Sequence, residues 1–205
     1  MKGSKTRSPI GEIAISILGR PGSGKDTQAE LLAKKFNLVH LKSGEIIAAA
    51  LKKRKGASIE KERRLQENGF LNTPEFVSAL MRAKIESTAN RGRGIIMSGS
   101  PRTLIELKNE LPLLKKLYGE NVYFFHVAIS PKEVYVRNLK RHRKDLPELD
   151  TREVIKKRLA VFSHETLPVI KYLKSKKLIF YINGEQPIAK IHKDILKILL
   201  AVRKP

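Results

Sequence analysis

Cysteine is missing from this chain of 205 residues, and so is tryptophan. The first absence excludes disulfides, thiolate metal sites and cysteine nucleophiles together, and gives no sign of an oxidising compartment. The second, with aromatics at only 6% of residues, leaves little for the base-stacking platforms of single-stranded nucleic-acid binders. No apolar run approaches the roughly 20 residues that span a bilayer, so a soluble cytoplasmic protein with no membrane partner is expected. Residues 1–11 are basic and small, and lack the apolar stretch that follows the charged start of a secretory signal; they read as a disordered tail. Internal repeats and low-complexity segments are absent too.

Acidic residues are also scarce. Lysine and arginine number 42 against 20 acids, for a formal net charge of +22. A field of that sign attracts polyanions such as nucleotides and nucleic acids, which bounds partners rather than activity. Hydrophobic residues make up 41% of the chain, enough at this length for one sizeable core with a small insertion, so residues 12–205 read as one domain.

Glu12 to Leu18 reads EIAISIL, a short β-branched run that stops at Gly19 as a buried strand does before a glycine-rich turn. A helical pattern follows over Lys25–Phe36. Further strand-like runs occur at Leu38–Leu41, Gly94–Met97, Val122–Ile129 and Leu178–Ile182, with helix-period sequence between them. Five strands alternating with helices predict an α/β fold of three layers, a five-stranded parallel sheet with helices on both faces. About fifty residues separate the second and third strands, far more than one crossover needs, so an extra helical element is expected there. Thr73 is placed to cap a helix starting at Pro74. Residues 139–150 are charged and poor in apolar side chains, a candidate lid, and Thr151 opens a long helix to about Ser175.

Gly19-Arg-Pro-Gly-Ser-Gly-Lys25 has the spacing G-x-x-x-x-G-K of a phosphate-binding loop and lies between a predicted strand and a predicted helix, as the mechanism demands. Glycines let backbone N–H groups turn inward around phosphate oxygens, the helix start adds its positive dipole end, and the ammonium of Lys25 bridges β- and γ-phosphates. Gly19, Gly22, Ser23, Gly24, Lys25, Asp26 and Thr27 are therefore the expected ATP cradle. The strict motif has Ser or Thr directly after the lysine; here Asp26 intervenes and the hydroxyl arrives with Thr27.

With Gln28 included, GRPGSGKDTQ resembles the phosphate loop of adenylate kinases and related nucleoside monophosphate kinases, in which a residue separates Lys from Thr. The resemblance continues through HLKSGEII at His40–Ile47, ENGFLNTPEFV at Glu67–Val77, GIIMSGSPRT at Gly94–Thr103, IKKRL at Ile155–Leu159 and INGEQPIAKI at Ile182–Ile191. It implies a P-loop fold with a helical monophosphate-binding insertion over about 43–72 and a short lid over about 139–150. It also implies transfer of the γ-phosphoryl group of ATP to a nucleoside monophosphate with Mg2+ as cofactor, by a monomer. By the same resemblance Arg102 holds the acceptor's phosphate, and Arg137, Arg141, Arg143 and Arg158 surround the transferring group. Lys25, Arg102, Arg141 and Arg158 are the catalytic set so implied. Ser43, Asn72, Arg102, Glu106, Arg143 and Arg158 fall on the monophosphate side, and Arg137, Arg141 and Gln186 on the ATP side, Gln186 through its backbone carbonyl. Arginines suit the task, because phosphoryl transfer has a loose transition state with charge on peripheral oxygens and is catalysed by positioning and electrostatics.

Several positions depart from the family pattern. Ser98 stands where the family carries an aspartate that helps hold magnesium through water, which leaves Thr27 as the candidate metal contact. Glu45 replaces an aspartate, Ala48 an arginine that meets the acceptor phosphate, Glu106 an adenine-reading glutamine, and Asn72 a valine near the acceptor base. A carboxylate accepts from an exocyclic amine but cannot donate as an amide does. AMP is the expected acceptor, with CMP, UMP or another monophosphate as alternatives. Lysine clusters such as Lys52–Lys55 and Lys174–Lys177 motivate the other reading, a nucleic-acid-binding protein on a P-loop fold.

Overall fold

The computed structural model describes residues 13–141 and 150–202. The expected tail, Arg143 and most of the expected lid lie outside the described residues. Five strands, β1 (Ala14–Leu18), β2 (Val39–Lys42), β3 (Ile95–Ser98), β4 (Val122–Ala128) and β5 (Ile179–Asn183), form one sheet in the order β2-β3-β1-β4-β5. Every pairing is parallel, as the strand–helix alternation predicted. Nine helices accompany them among the described residues: α1 (Lys25–Phe36), α2 (Ser43–Lys53), α3 (Ala57–Glu67), α4 (Pro74–Ala89), α5 (Leu104–Tyr118), α6 (Pro131–Arg141), α7 (Arg152–Val161), α8 (Leu167–Ser175) and α9 (Ile188–Val202). None is long and apolar enough to cross a membrane.

The central strands are mostly apolar because both faces of the sheet are covered. On one face Ala14, Leu18, Ile95, Met97 and Phe124 pack with Met81 and Ile85 of α4, Leu107 and Leu114 of α5, and Ile170 and Leu173 of α8. On the other, Ile15, Ile17, Ile96, Phe125 and Val127 pack with Ala29 and Leu32 of α1 and Ile191 and Ile195 of α9. Alternate residues of each strand thus serve opposite cores. A small third cluster of Ile129, Val134 and Ile155 joins α6 to α7.

The long connection between β2 and β3 holds α2, α3 and α4. Thr73 is the N-cap residue of α4, yet its side chain makes no capping bond: its hydroxyl donates to Glu62 of α3, which also accepts from the Thr73 backbone N–H at 2.9 Å. The expected single helix from Thr151 is two helices joined by a π-type turn at Phe162–Thr166, in which the Leu167 N–H bonds back to the Phe162 carbonyl. Pro168, with no N–H to donate, follows at the start of α8 and accounts for the widened turn.

Candidate active site

The strand order reverses around β1, and the site lies at the carboxyl ends of the central strands, where open α/β sheets bind ligands. β1 runs into Gly19, which no larger residue could replace: an added Cβ would lie 2.5 Å from Ser23 Oγ and 2.6 Å from the Val127 carbonyl. Gly22 and Gly24 take positive φ angles of 78° and 84°, and α1 starts at Lys25. Positive φ at these two residues wraps the backbone into a cradle over the N-terminus of a helix, an arrangement that receives phosphate. The Ser23 hydroxyl is buried in the cradle with no hydrogen-bond partner among the described residues, so the loop fits an anionic guest. Lys25, Asp26 and Thr27 line its mouth together with Gly22, Gly24 and Arg137.

α6 braces the cradle from outside. Asn138, fully buried, donates its amide to the Pro21 carbonyl at 3.2 Å and to the Val134 carbonyl at 2.7 Å. Arg137 donates to the Gly184 carbonyl at 2.8 Å and the Gly22 carbonyl at 3.5 Å while its Nε meets Glu133 at 2.6 Å. Arg137 therefore ties the cradle to the loop after β5. Arg20 closes the same end, donating to the Ile129 carbonyl with its guanidinium 5.2 Å from the centre of the Phe162 ring.

Beyond β3, Gly99 turns with φ 76° and delivers Arg102 beside the cradle. The Arg102 guanidinium is aimed by two bonds, Nε to the Gly99 carbonyl at 2.6 Å and Nη2 to Ser43 Oγ at 3.0 Å, and Ser43 in turn donates to the Gly99 carbonyl at 2.8 Å. Thr103 caps α5, accepting from the Glu106 N–H at 3.1 Å, and Glu106 reaches back to accept from the Arg102 N–H at 2.7 Å. This is a capping box shifted by one residue. Burial pushes the Glu106 carboxyl up, against the pull of the Arg102 N–H and guanidinium. Behind the turn, Ser16 donates to the Ser100 carbonyl at 2.7 Å and Ser100 to Glu110 at 2.7 Å.

Lys25, Arg102 and Arg158 meet on one cleft of ≈ 190 Å³, whose wall also includes Gly19, Gly99, Phe70 and Phe162. Phe70, Leu71 and Val161 are shared with a neighbouring pocket of ≈ 630 Å³, largely apolar, that Asn72, Thr73 and Thr103 also line. The other expected site residues fall as follows. Ser43 orients Arg102, and Glu106 is buried against the Arg102 backbone. Asn72 is buried and donates to the Glu62 carbonyl at 2.8 Å and carboxylate at 3.0 Å. Gln186 turns its amide onto the Asn183 carbonyl at 2.9 Å and Asp194 at 3.0 Å, and is not on the Lys25 cleft. Arg141 is the last residue of α6, and Arg143 is outside the described residues. Glu45 pairs with Lys42 at 3.0 Å, and Ala48 is exposed on α2.

Residues 17–178 match the family model described as adenylate kinase. The chain belongs to the adenylate kinase family. An adenylate kinase of Leptospira biflexa is 31% identical over 183 residues, 89% of this chain and 97% of the relative. Adenylate kinases of Prochlorococcus marinus and Nostoc are each 32% identical, covering 88% and 84% of this chain and 95% and 90% of their own lengths. As a member of this family the chain is an ATP-dependent nucleoside monophosphate phosphotransferase.

Three features of this adenylate kinase family member escape sequence reasoning. Asn138 bonds a carbonyl 117 positions away, and no local pattern marks it. Phe70, 54% exposed at the rim of both pockets, looks like an ordinary loop aromatic until the fold places it. His40, whose Nε2 lies 2.9 Å from Ser98 Oγ, stands in the quoted HLKSGEII string, and only the pairing of β2 with β3 shows what it meets.

Proposed function

We propose that the chain phosphorylates AMP, ATP + AMP giving two ADP, with Mg2+ as cofactor. The observation that supports this most directly is the convergence of Lys25, Arg102 and Arg158 on one cleft beside the glycine cradle. ATP seats its β- and γ-phosphates against the N–H groups of the cradle and the Lys25 ammonium. Arg102, already oriented by Gly99 and Ser43, holds the acceptor's phosphate at the end of β3. An oxygen of that phosphate attacks the γ-phosphorus as the bond to the β,γ-bridging oxygen breaks, and ADP departs with the electron pair. Arg158, facing both, opposes the charge on the peripheral oxygens. No general base is required.

Magnesium, when bound, neutralises charge on the β- and γ-phosphates. The donors fit an ion that arrives with its nucleotide. The exposed Thr27 offers a hard oxygen, and among the described residues no cluster of three His, Cys, Asp or Glu makes a self-sufficient cage. The pocket of ≈ 630 Å³ beside Arg102 lies within the range of small-molecule sites and is the space for the acceptor's nucleoside. The enzyme is a cytoplasmic monomer in this reading.

The test is ADP formation from ATP with AMP, CMP, UMP, GMP, shikimate or gluconate as acceptor, beside salt-dependent retention on RNA. AMP is expected to be preferred. A higher kcat/KM with another monophosphate would replace the acceptor, and RNA binding without turnover would overturn the reading.

A further inference from the structure

A carboxylate inside a phosphate cradle has the wrong sign. Asp26 follows Lys25 directly and lines the mouth of the cradle between that lysine and Thr27, where the phosphates of a nucleotide would arrive. Lys25 does not cancel it closely: Lys25 Nζ is 3.7 Å from Asp26 Oδ2, and the Asp26 side chain is 48% exposed. Left alone, this negative charge repels the ligand that the rest of the loop is shaped to attract.

Asp26 nonetheless has polar neighbours on the adjacent strands. The Ser98 hydroxyl at the end of β3 lies close enough to its carboxylate to favour the charged form. Ser98 Oγ in turn lies 2.9 Å from His40 Nε2 on β2. His40 and Ser98 thus stand together beside the carboxylate. Burial alone would raise the Asp26 carboxyl, but Lys25, the Ser98 hydroxyl, Arg102 and His40 together bring it below the usual range. Like an ordinary aspartate it is an anion at neutral pH.

A divalent cation between carboxylate and phosphates removes the conflict. Magnesium takes oxygen ligands, keeps several waters, and uses one or two carboxylates plus substrate phosphates. The Thr27 hydroxyl, one residue on and exposed, supplies a second protein oxygen on the same turn of α1. We propose that Asp26, at the mouth of the cradle, is the carboxylate that anchors the nucleotide-borne magnesium ion beside Thr27. This rests on the ATP-dependent reading above and assigns the metal contact within it.

Mn2+ binding followed by electron paramagnetic resonance, with the full chain and a non-hydrolysable β,γ-imido ATP analogue, tests it without turnover. Asp26→Asn is expected to weaken Mn2+ binding to the protein–nucleotide complex about tenfold, the lower range for loss of a metal-site partner. Binding of the metal-free analogue in EDTA is expected to stay unchanged or tighten, since a repelling charge is gone. Ser98→Asp added to Asp26→Asn returns a carboxylate next to the lost one and is expected to restore Mn2+ affinity. Unchanged Mn2+ affinity in Asp26→Asn overturns the proposal while leaving the kinase reading standing. So does equal loss of analogue binding in EDTA, or a double variant as weak as Asp26→Asn. Failure of the unmodified chain to bind the analogue with or without metal removes both.

Discussion

Replacing Glu110 by glutamine isolates one buried charge and its cost. Glu110 of α5 is fully buried; one oxygen accepts from the Ser100 hydroxyl and the other has no hydrogen-bond partner among the described residues. Burial pushes its carboxyl up to about 8 from an ordinary 4.5, with nearby Glu106 adding to the rise and the Ser100 hydroxyl opposing it. The fold therefore favours the protonated form, and the folded chain holds a proton that the unfolded chain has released. The stability linked to that proton is full below pH 4.5 and is lost as the pH climbs to about 8. At about 1.4 kcal/mol per pH unit the loss amounts to about 5 kcal/mol by pH 9. Glutamine keeps an oxygen for Ser100 and carries no charge. Urea unfolding is expected to give Glu110→Gln within about 1 kcal/mol of the unmodified chain at pH 5, and to find it several kcal/mol more stable at pH 9. Other titrating groups are common to both chains, so the difference reports Glu110 alone. Parallel stability–pH curves for the two proteins would refute the reasoning.

Lys25→Ala is expected to cut kcat/KM by about 10²–10³-fold, the range for a lost electrostatic stabiliser, with an unchanged unfolding midpoint; near-normal turnover in a coupled ADP assay would contradict the cradle assignment. Arg102→Ala is expected to raise the acceptor's KM by about 10–100-fold, as loss of a charged hydrogen bond does, and to lower kcat, with ATP affinity little changed. An equal loss of ATP binding by calorimetry would speak against that role. Asn138→Leu leaves the Pro21 carbonyl without its donor and is expected to cost about 1–3 kcal/mol in urea and to raise the KM for ATP more than that for AMP; matched increases would remove the brace from the account.

What the sequence disclosed and what it withheld divide along sequence separation. The five strands lie within two residues of their expected ends, because a doubly covered parallel strand is a mostly apolar run that stops at a turn residue. Gly19–Thr27 was legible because the cradle is a local backbone conformation that only closely spaced glycines allow. Arg102 was legible from the segment that carries it, but its aim was not: Ser43 is 59 positions away. Asn72 and Glu106 were read as base contacts from aligned strings, whereas their amide and carboxylate make bonds to Glu62 and to the Arg102 backbone that no string records. The π-type turn escaped because helical periodicity continues across it, and only Pro168 hints at the break.

The Glu62 clasp bears on how the molecule can flex. By accepting from the Asn72 amide and from both the N–H and the hydroxyl of Thr73, Glu62 welds α3 to the start of α4. Rotation between those two helices would break three bonds at once, and α3 is tied to α2 as well, through the Arg63 guanidinium, which donates to the Leu51 carbonyl at 2.9 Å. The clasp thereby sets where Phe70 and Leu71, between the two helices, stand on the walls of the two pockets.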